Sequence, residues 1–121
     1  MTDLSLVLPG PCLVVRYMRY QGSYPAKDYL DAHPKVKSSL LAIVRHLSTH
    51  GTIEVSERGH MLKGKYKDIM DLKPREHRVY GFRHDNNFYM TNGAPKKKAK
   101  EQEADFKLAL AMRTDFYAKL N

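Results

Sequence analysis

The 121-residue chain has one cysteine, Cys12. A single thiol excludes an intramolecular disulfide framework and suits a reducing compartment. Its apolar surroundings predict a small buried side chain. No apolar run approaches the ~20 residues that cross a bilayer. Leu4-Ser5-Leu6-Val7-Leu8 lacks a cationic leader and a cleavage site, so no secretory signal is read, no membrane partner is expected and the cytoplasm is the expected location. A phosphate-cradling glycine loop, a serine-hydrolase elbow and a dinucleotide fingerprint are all missing, which excludes the nucleotide-binding and hydrolase classes that depend on them. There is no internal repeat and no long linker. At this length one domain spanning 1–121 is expected, with 1–10 a loose arm or an early partial strand.

Positive charge is present in excess and in one place. The formal net charge is +8. Residues 63–100 hold eleven Lys/Arg against four Asp/Glu, a net +7, while residues 1–62 carry +2 and residues 101–121 carry −1. A localised cationic surface attracts polyanions and speeds their encounter. RNA or another polyanion is therefore the expected partner, against the plainer reading of a solvated basic face.

The order of elements follows from periodicity. Residues 12–20 alternate as a strand. Pro25 suits the first turn of a short helix over Ala26–His33. Pro34–Thr49 gives the clearest helix, with Val36, Leu40, Ile43, Val44 and Leu47 on one stripe and Gly51 as its stop. Residues 52–62 read as a loop with a possible short strand at Thr52–Val55. Tyr66–Lys73 reads as a strand ended by Pro74. His77–His84 and Phe88–Asn92 flank the turn Asp85-Asn86-Asn87. Gly93-Ala94-Pro95 opens a lysine loop, and Ala99–Leu120 is helical. Three late strands with short connections should be antiparallel neighbours. The expected class is α+β, a small antiparallel-rich sheet with two N-terminal helices packed on one face and a C-terminal helix.

Several residues carry possible chemistry. Arg78, Tyr80, Phe82 and His84 share one strand face, while Arg83 has the opposite parity and His77 faces away with it. Arg78 can grip a phosphate with its planar fork. His84 is the candidate for catalytic proton transfer, since histidine is the side chain suited to that task near neutral pH. Lys96, Lys97 and Lys98 are placed to contact phosphates, with Arg83 as a further RNA contact, and Tyr89 can stack on a base. His46 and His50 have the spacing of metal ligands but no evident third ligand, so no metal and no other cofactor is expected.

Three stretches resemble the RelE/HigB-like superfamily of bacterial toxins, especially its phage-derived HigB-like branch. They are Ser23–Leu30 with the helix ending at His50-Gly51, then Asp68-Ile69-Met70-Asp71-Leu72-Lys73, then His77–Phe82 through Asn92-Gly93-Ala94-Pro95-Lys96-Lys97-Lys98. Together they span roughly residues 12–118. The resemblance implies a RelE-like fold, cleavage of mRNA, often at the ribosome, and neutralisation by a small antitoxin, expected to be a helix-turn-helix protein. It places the active-site arginine at Arg78 and catalytic or RNA-binding lysines at Lys63 and Lys65. Asn92 stands where the family commonly has His, and Ala94-Pro95 stands in place of the usual aromatic. A non-catalytic RNA-binding protein on the same fold, or a module that only holds an acidic antitoxin segment, are the alternative expectations.

Overall fold

A computed structural model describes residues 5–53 and 58–120. The elements in chain order are β1 (Leu6–Leu8), β2 (Val14–Tyr17), α1 (Pro25–Asp31), α2 (Pro34–His50), β3 (Gly59–Met61), a 3-10 turn (Gly64–Tyr66), β4 (Met70–Leu72), β5 (His77–His84), β6 (Asn87–Pro95) and α3 (Ala99–Ala118). They build one six-stranded sheet in the order β1-β2-β6-β5-β4-β3. The late strands are antiparallel neighbours, as their short connections require. The sheet is nonetheless mixed, because β2 pairs with β6 in parallel. The chain between those two strands carries α1, α2, β3, β4 and β5, long enough for a parallel return.

Both sheet faces are covered. α1 and α2 bury Leu30, Leu40, Val44 and Leu47 against Val15, Val79, Phe88 and Met90 on one face. α3 buries Ala109 and Met112 against Tyr66, Tyr80 and Phe82 on the other. Helices do not all lie on one side of the sheet, and this changes how β5 must be read. Val79, Tyr80, Gly81 and Phe82 are four buried residues in succession, as expected of a strand with no wet face.

Local chemistry explains most boundaries. Pro25 and Pro34 each open a helix. Gly51 takes φ 78° and donates its N–H to the Leu47 carbonyl, closing α2. Residues 5–10 are not loose, since β1 pairs with β2 and a Cβ on Gly10 would lie 1.5 Å from Ser48 Oγ. Ser48 Oγ donates to the Leu13 carbonyl at 2.9 Å, tying α2 to the start of β2. Cys12 is exposed rather than buried, and its Sγ donates to the Thr49 carbonyl at 3.0 Å.

Two expected elements change. The strand over Tyr66–Lys73 shrinks to β4. Gly64 at φ 65° starts a turn in which Tyr66, Lys67 and Ile69 donate to the carbonyls of Lys63, Gly64 and Tyr66. Tyr66 swings under α3 against Phe106 instead. The strand at Gly59–Met61 lies later than the one expected at Thr52–Val55, part of which falls outside the described residues. β6 also runs on through Gly93-Ala94-Pro95, and its register against β5 shifts between Val79 and Gly81.

Candidate active site

Strand register places three polar side chains in a row. His60 on β3 lies opposite Asp71 on β4, and Asp71 lies opposite Tyr80 on β5. Cross-strand partners of this kind are neighbours on one face. The face is the one α3 covers, since Tyr80 packs edge-on against Phe106. Arg78, two residues back on β5, has the same parity and points to the same place. Its Nε lies 3.8 Å from Asp71 Oδ1, and His60 Nε2 lies 4.0 Å from Asp71 Oδ2. Arg78 Nη1 donates to the His77 carbonyl at 2.8 Å, which fixes the guanidinium beside the carboxylate.

Burial sets the electrostatics of the row. Asp71 is 3 % exposed, and its carboxyl is pushed up to about 6 because desolvation outweighs the attraction of Arg78 and Lys73. His60 is held below its ordinary value, first by burial and then by the charges of Lys73, Arg78 and Lys63. Near neutral pH the His60–Asp71 contact is therefore a neutral imidazole beside a carboxylate, not an ion pair. Tyr80 is fully buried and its phenol is raised, by burial first and then by Asp71 and Asp105. A carboxyl that titrates near 6 next to an arginine fork can take a proton from a hydroxyl while the fork steadies an anion.

The expected site residues are partly brought together. Arg78 and Lys63 both act on His60, so they belong to one cluster. Lys65 turns toward α3, 3.6 Å from Glu103 and over the Tyr66 ring. Lys96 lies 3.9 Å from Glu76 and Lys97 lies 3.0 Å from Asp105, so both have carboxylate partners. Lys98 is exposed at the start of α3. His84 shares the face of Arg78 but sits six residues along β5, roughly 20 Å away in a strand. Its ring packs at 5.3 Å from both Phe116 and Tyr117. Tyr89 lies at that same end, against Phe82 and Phe116. Arg83 is exposed, its Nε donating to the Asp85 carbonyl at 3.1 Å. His77 faces α1, where its Nδ1 is hydrogen-bonded to the Tyr29 hydroxyl. The His46 and His50 rings lie 4.4 Å apart, and no group of three or more possible metal ligands occurs among the described residues.

Asp71 and His60 escape a reading by pattern alone. Asp71 was legible only as a charged residue with the parity of buried Ile69, a placement that strands rarely give an unpaired carboxylate. His60 had no strand to define its face until Gly59–Met61 paired with β4. Asn92 is explained by packing. Its Nδ2 donates to the Asp105 carbonyl at 3.2 Å and its Oδ1 accepts from Thr91 Oγ1 at 2.7 Å, so it fastens β6 to α3.

Comparison with solved structures finds the same fold in a chain of the YoeB dimer from Staphylococcus aureus. That chain is 16 % identical, has a TM-score of 0.54, and the match covers 72 % of this chain and 98 % of that one. The architecture is of the YoeB/RelE-like type, with three helices on a mixed sheet. No protein-family model matches the chain, and no curated protein matches it.

Proposed function

We propose that this protein is the toxin of a type II toxin–antitoxin pair, an endoribonuclease of the RelE superfamily that needs no metal. The observation that carries the reading is Arg78 set against the buried carboxyl of Asp71 in the row His60–Asp71–Tyr80. The likeness of the fold to YoeB, a RelE-family toxin, supports it. The sequence motifs favour the HigB-like, phage-derived branch, an mRNA substrate met on the translating ribosome, and a helix-turn-helix antitoxin as partner.

The chemistry uses groups already in place. Asp71, through Oδ2 on its His60 side, takes the proton of the RNA 2′-hydroxyl, and the 2′-oxygen attacks the adjacent phosphorus. Arg78 and Lys63 hold the charge that builds on the phosphorane oxygens. The bond from phosphorus to the 5′-oxygen breaks, and that oxygen takes a proton from Lys63 at the solvent-facing rim. The product is a 2′,3′-cyclic phosphate. Neutral His60 can receive the proton that Asp71 removed. Because Asp71 must be ionised, cleavage should rise as pH passes through about 6.

Purified protein and a short oligoribonucleotide with a chelator present test this. Arg78→Ala should lower kcat/KM by about 100-fold or more, the scale of losing a group that stabilises transition-state charge. Expression in cells should arrest growth with cleaved transcripts, and Arg78→Ala should relieve both. Intact RNA and normal growth with the wild-type protein would overturn the reading.

A further inference from the structure

Two oxygens in the site are enclosed and have no hydrogen-bond partner, Asp71 Oδ1 and the Tyr80 hydroxyl. They belong to residues directly opposite one another on β4 and β5. A buried polar atom without a partner is costly, so two of them on cross-strand neighbours call for a reason. Tyr80 is 0 % exposed, so its hydroxyl is closed to solvent. Its role must run through a neighbour. The phenol keeps its proton, because burial and the charges of Asp71 and Asp105 all oppose the phenolate. It is therefore a donor in need of an acceptor. Asp105 on α3 already pairs through Oδ2 with Lys97 at 3.0 Å. Asp71, opposite Tyr80 on the neighbouring strand, offers in Oδ1 an acceptor without a partner among the described residues.

Arg78 is the cation paired with Asp71 Oδ1, its Nε 3.8 Å away. A phosphate would draw the guanidinium away, at the moment when Asp71 has to be ionised. We propose that Tyr80 is a positioning residue of this site, whose hydroxyl turns to the Asp71 carboxylate when Arg78 moves onto a phosphate and keeps that carboxylate ionised and aimed. The inference rests on the reading of Asp71 as the base. The other groups facing Asp71 are His60 from β3 and Lys73 beyond the end of β4, with Lys63 acting on His60. Partial burial and the charges of Lys73, Arg78 and Lys63 disfavour a proton on His60.

Removing Arg78 by mutation imitates its departure and needs no RNA. The Asp71 carboxyl carbon is titrated by NMR in Arg78→Gln and in Arg78→Gln/Tyr80→Phe, the second change being isosteric. The midpoint should be higher in the double variant by about one pH unit, a tenfold change in protonation. With Arg78 intact, Tyr80→Phe alone should lower kcat about tenfold near pH 6 and shift the acid limb of the profile upward, leaving KM unchanged, since Tyr80 touches no substrate. Coincident carboxyl titrations, or an acid limb that does not move, overturn the role of Tyr80 and leave the proposed function standing. Cleavage by Asp71→Asn at the wild-type rate overturns both.

Discussion

The two faces of the sheet are built to different rules. The face under α1 and α2 is almost wholly apolar, and its buried polar side chain, Ser48, donates to the Leu13 carbonyl. The face under α3 holds Asp71, Thr91 and Asn92 among its aromatics. Among the described residues, the buried side-chain atoms without a partner are Asp71 Oδ1, Tyr80 Oη and Arg113 Nε, and all three belong to the α3 side. One face holds the fold together while the other carries strain that a site can use. If that division is right, truncating the apolar face should destabilise, while neutralising the unsatisfied carboxyl of the α3 face should stabilise.

The largest effect should come from the first face. Leu47 is fully buried between α2 and the sheet. Leu47→Ala should destabilise by about 2–5 kcal/mol, the usual cost of a lost core side chain and the cavity it leaves. Urea unfolding measures it, and cleavage by the protein that remains folded should be unchanged. A loss below ~1 kcal/mol would mean the α2 face is not where stability resides.

On the α3 face a conservative change should stabilise. Burial pushes the carboxyl of Asp71 up to about 6 from its ordinary 3.8. A raised carboxyl favours the fold while it is protonated. That contribution is full below about 3.8 and is lost as pH rises through about 6. The cost at pH 7 is about 3 kcal/mol on that shift. Asp71→Asn should therefore raise stability by about 1–3 kcal/mol at pH 7, with no advantage at pH 3.5, while abolishing cleavage. Asn at this position destabilising at both pH values would break the contrast between the faces.

The same contrast explains what was readable beforehand. The stripe from Val36 to Leu47 has one apolar face and one neighbour to bury it against, so periodicity alone located α2 and its cap at Gly51. β5 and β6 were located by their alternation and the turn at Asp85. Parity also set Arg78 apart from Arg83. Parity does not say what covers a face. Tyr80 and Phe82 share the face of Arg78 by parity, and α3 turns them into core. His84 shares their parity but lies at the far end of the strand, a distance that a face assignment does not contain. The site itself depended on β3, β4 and β5 coming into register, and a short strand such as Met70–Leu72 carries little periodic signal.

His84 tests how far the site extends along the α3 face. Its ring is held by Phe116 and Tyr117, and its Nε2 lies 3.4 Å from an exposed Asp85 carboxylate. His84→Ala should cost about 1 kcal/mol through lost aromatic contacts. It should leave the pH profile of cleavage where the wild type has it, because the group that sets the profile is Asp71. A profile that loses a limb in His84→Ala would join the two ends of β5 into one site and end the separation between them.

The smallest effect concerns the lysines at the start of α3. Lys96 and Lys97 already have Glu76 and Asp105 as partners, whereas no ion pair is found for Lys98 among the described residues. A lysine that neutralises a phosphate of single-stranded RNA adds about 0.7 to the slope of log affinity against log salt. Lys98→Gln should remove about that much. Lys96→Gln and Lys97→Gln should each remove less, since both cations begin partly neutralised by a carboxylate. Fluorescence anisotropy with a labelled oligoribonucleotide over a salt series resolves the difference. Equal losses at all three positions would show that the carboxylates let go when RNA binds. The basic charge beside α3 would then act as one continuous surface leading to Arg78.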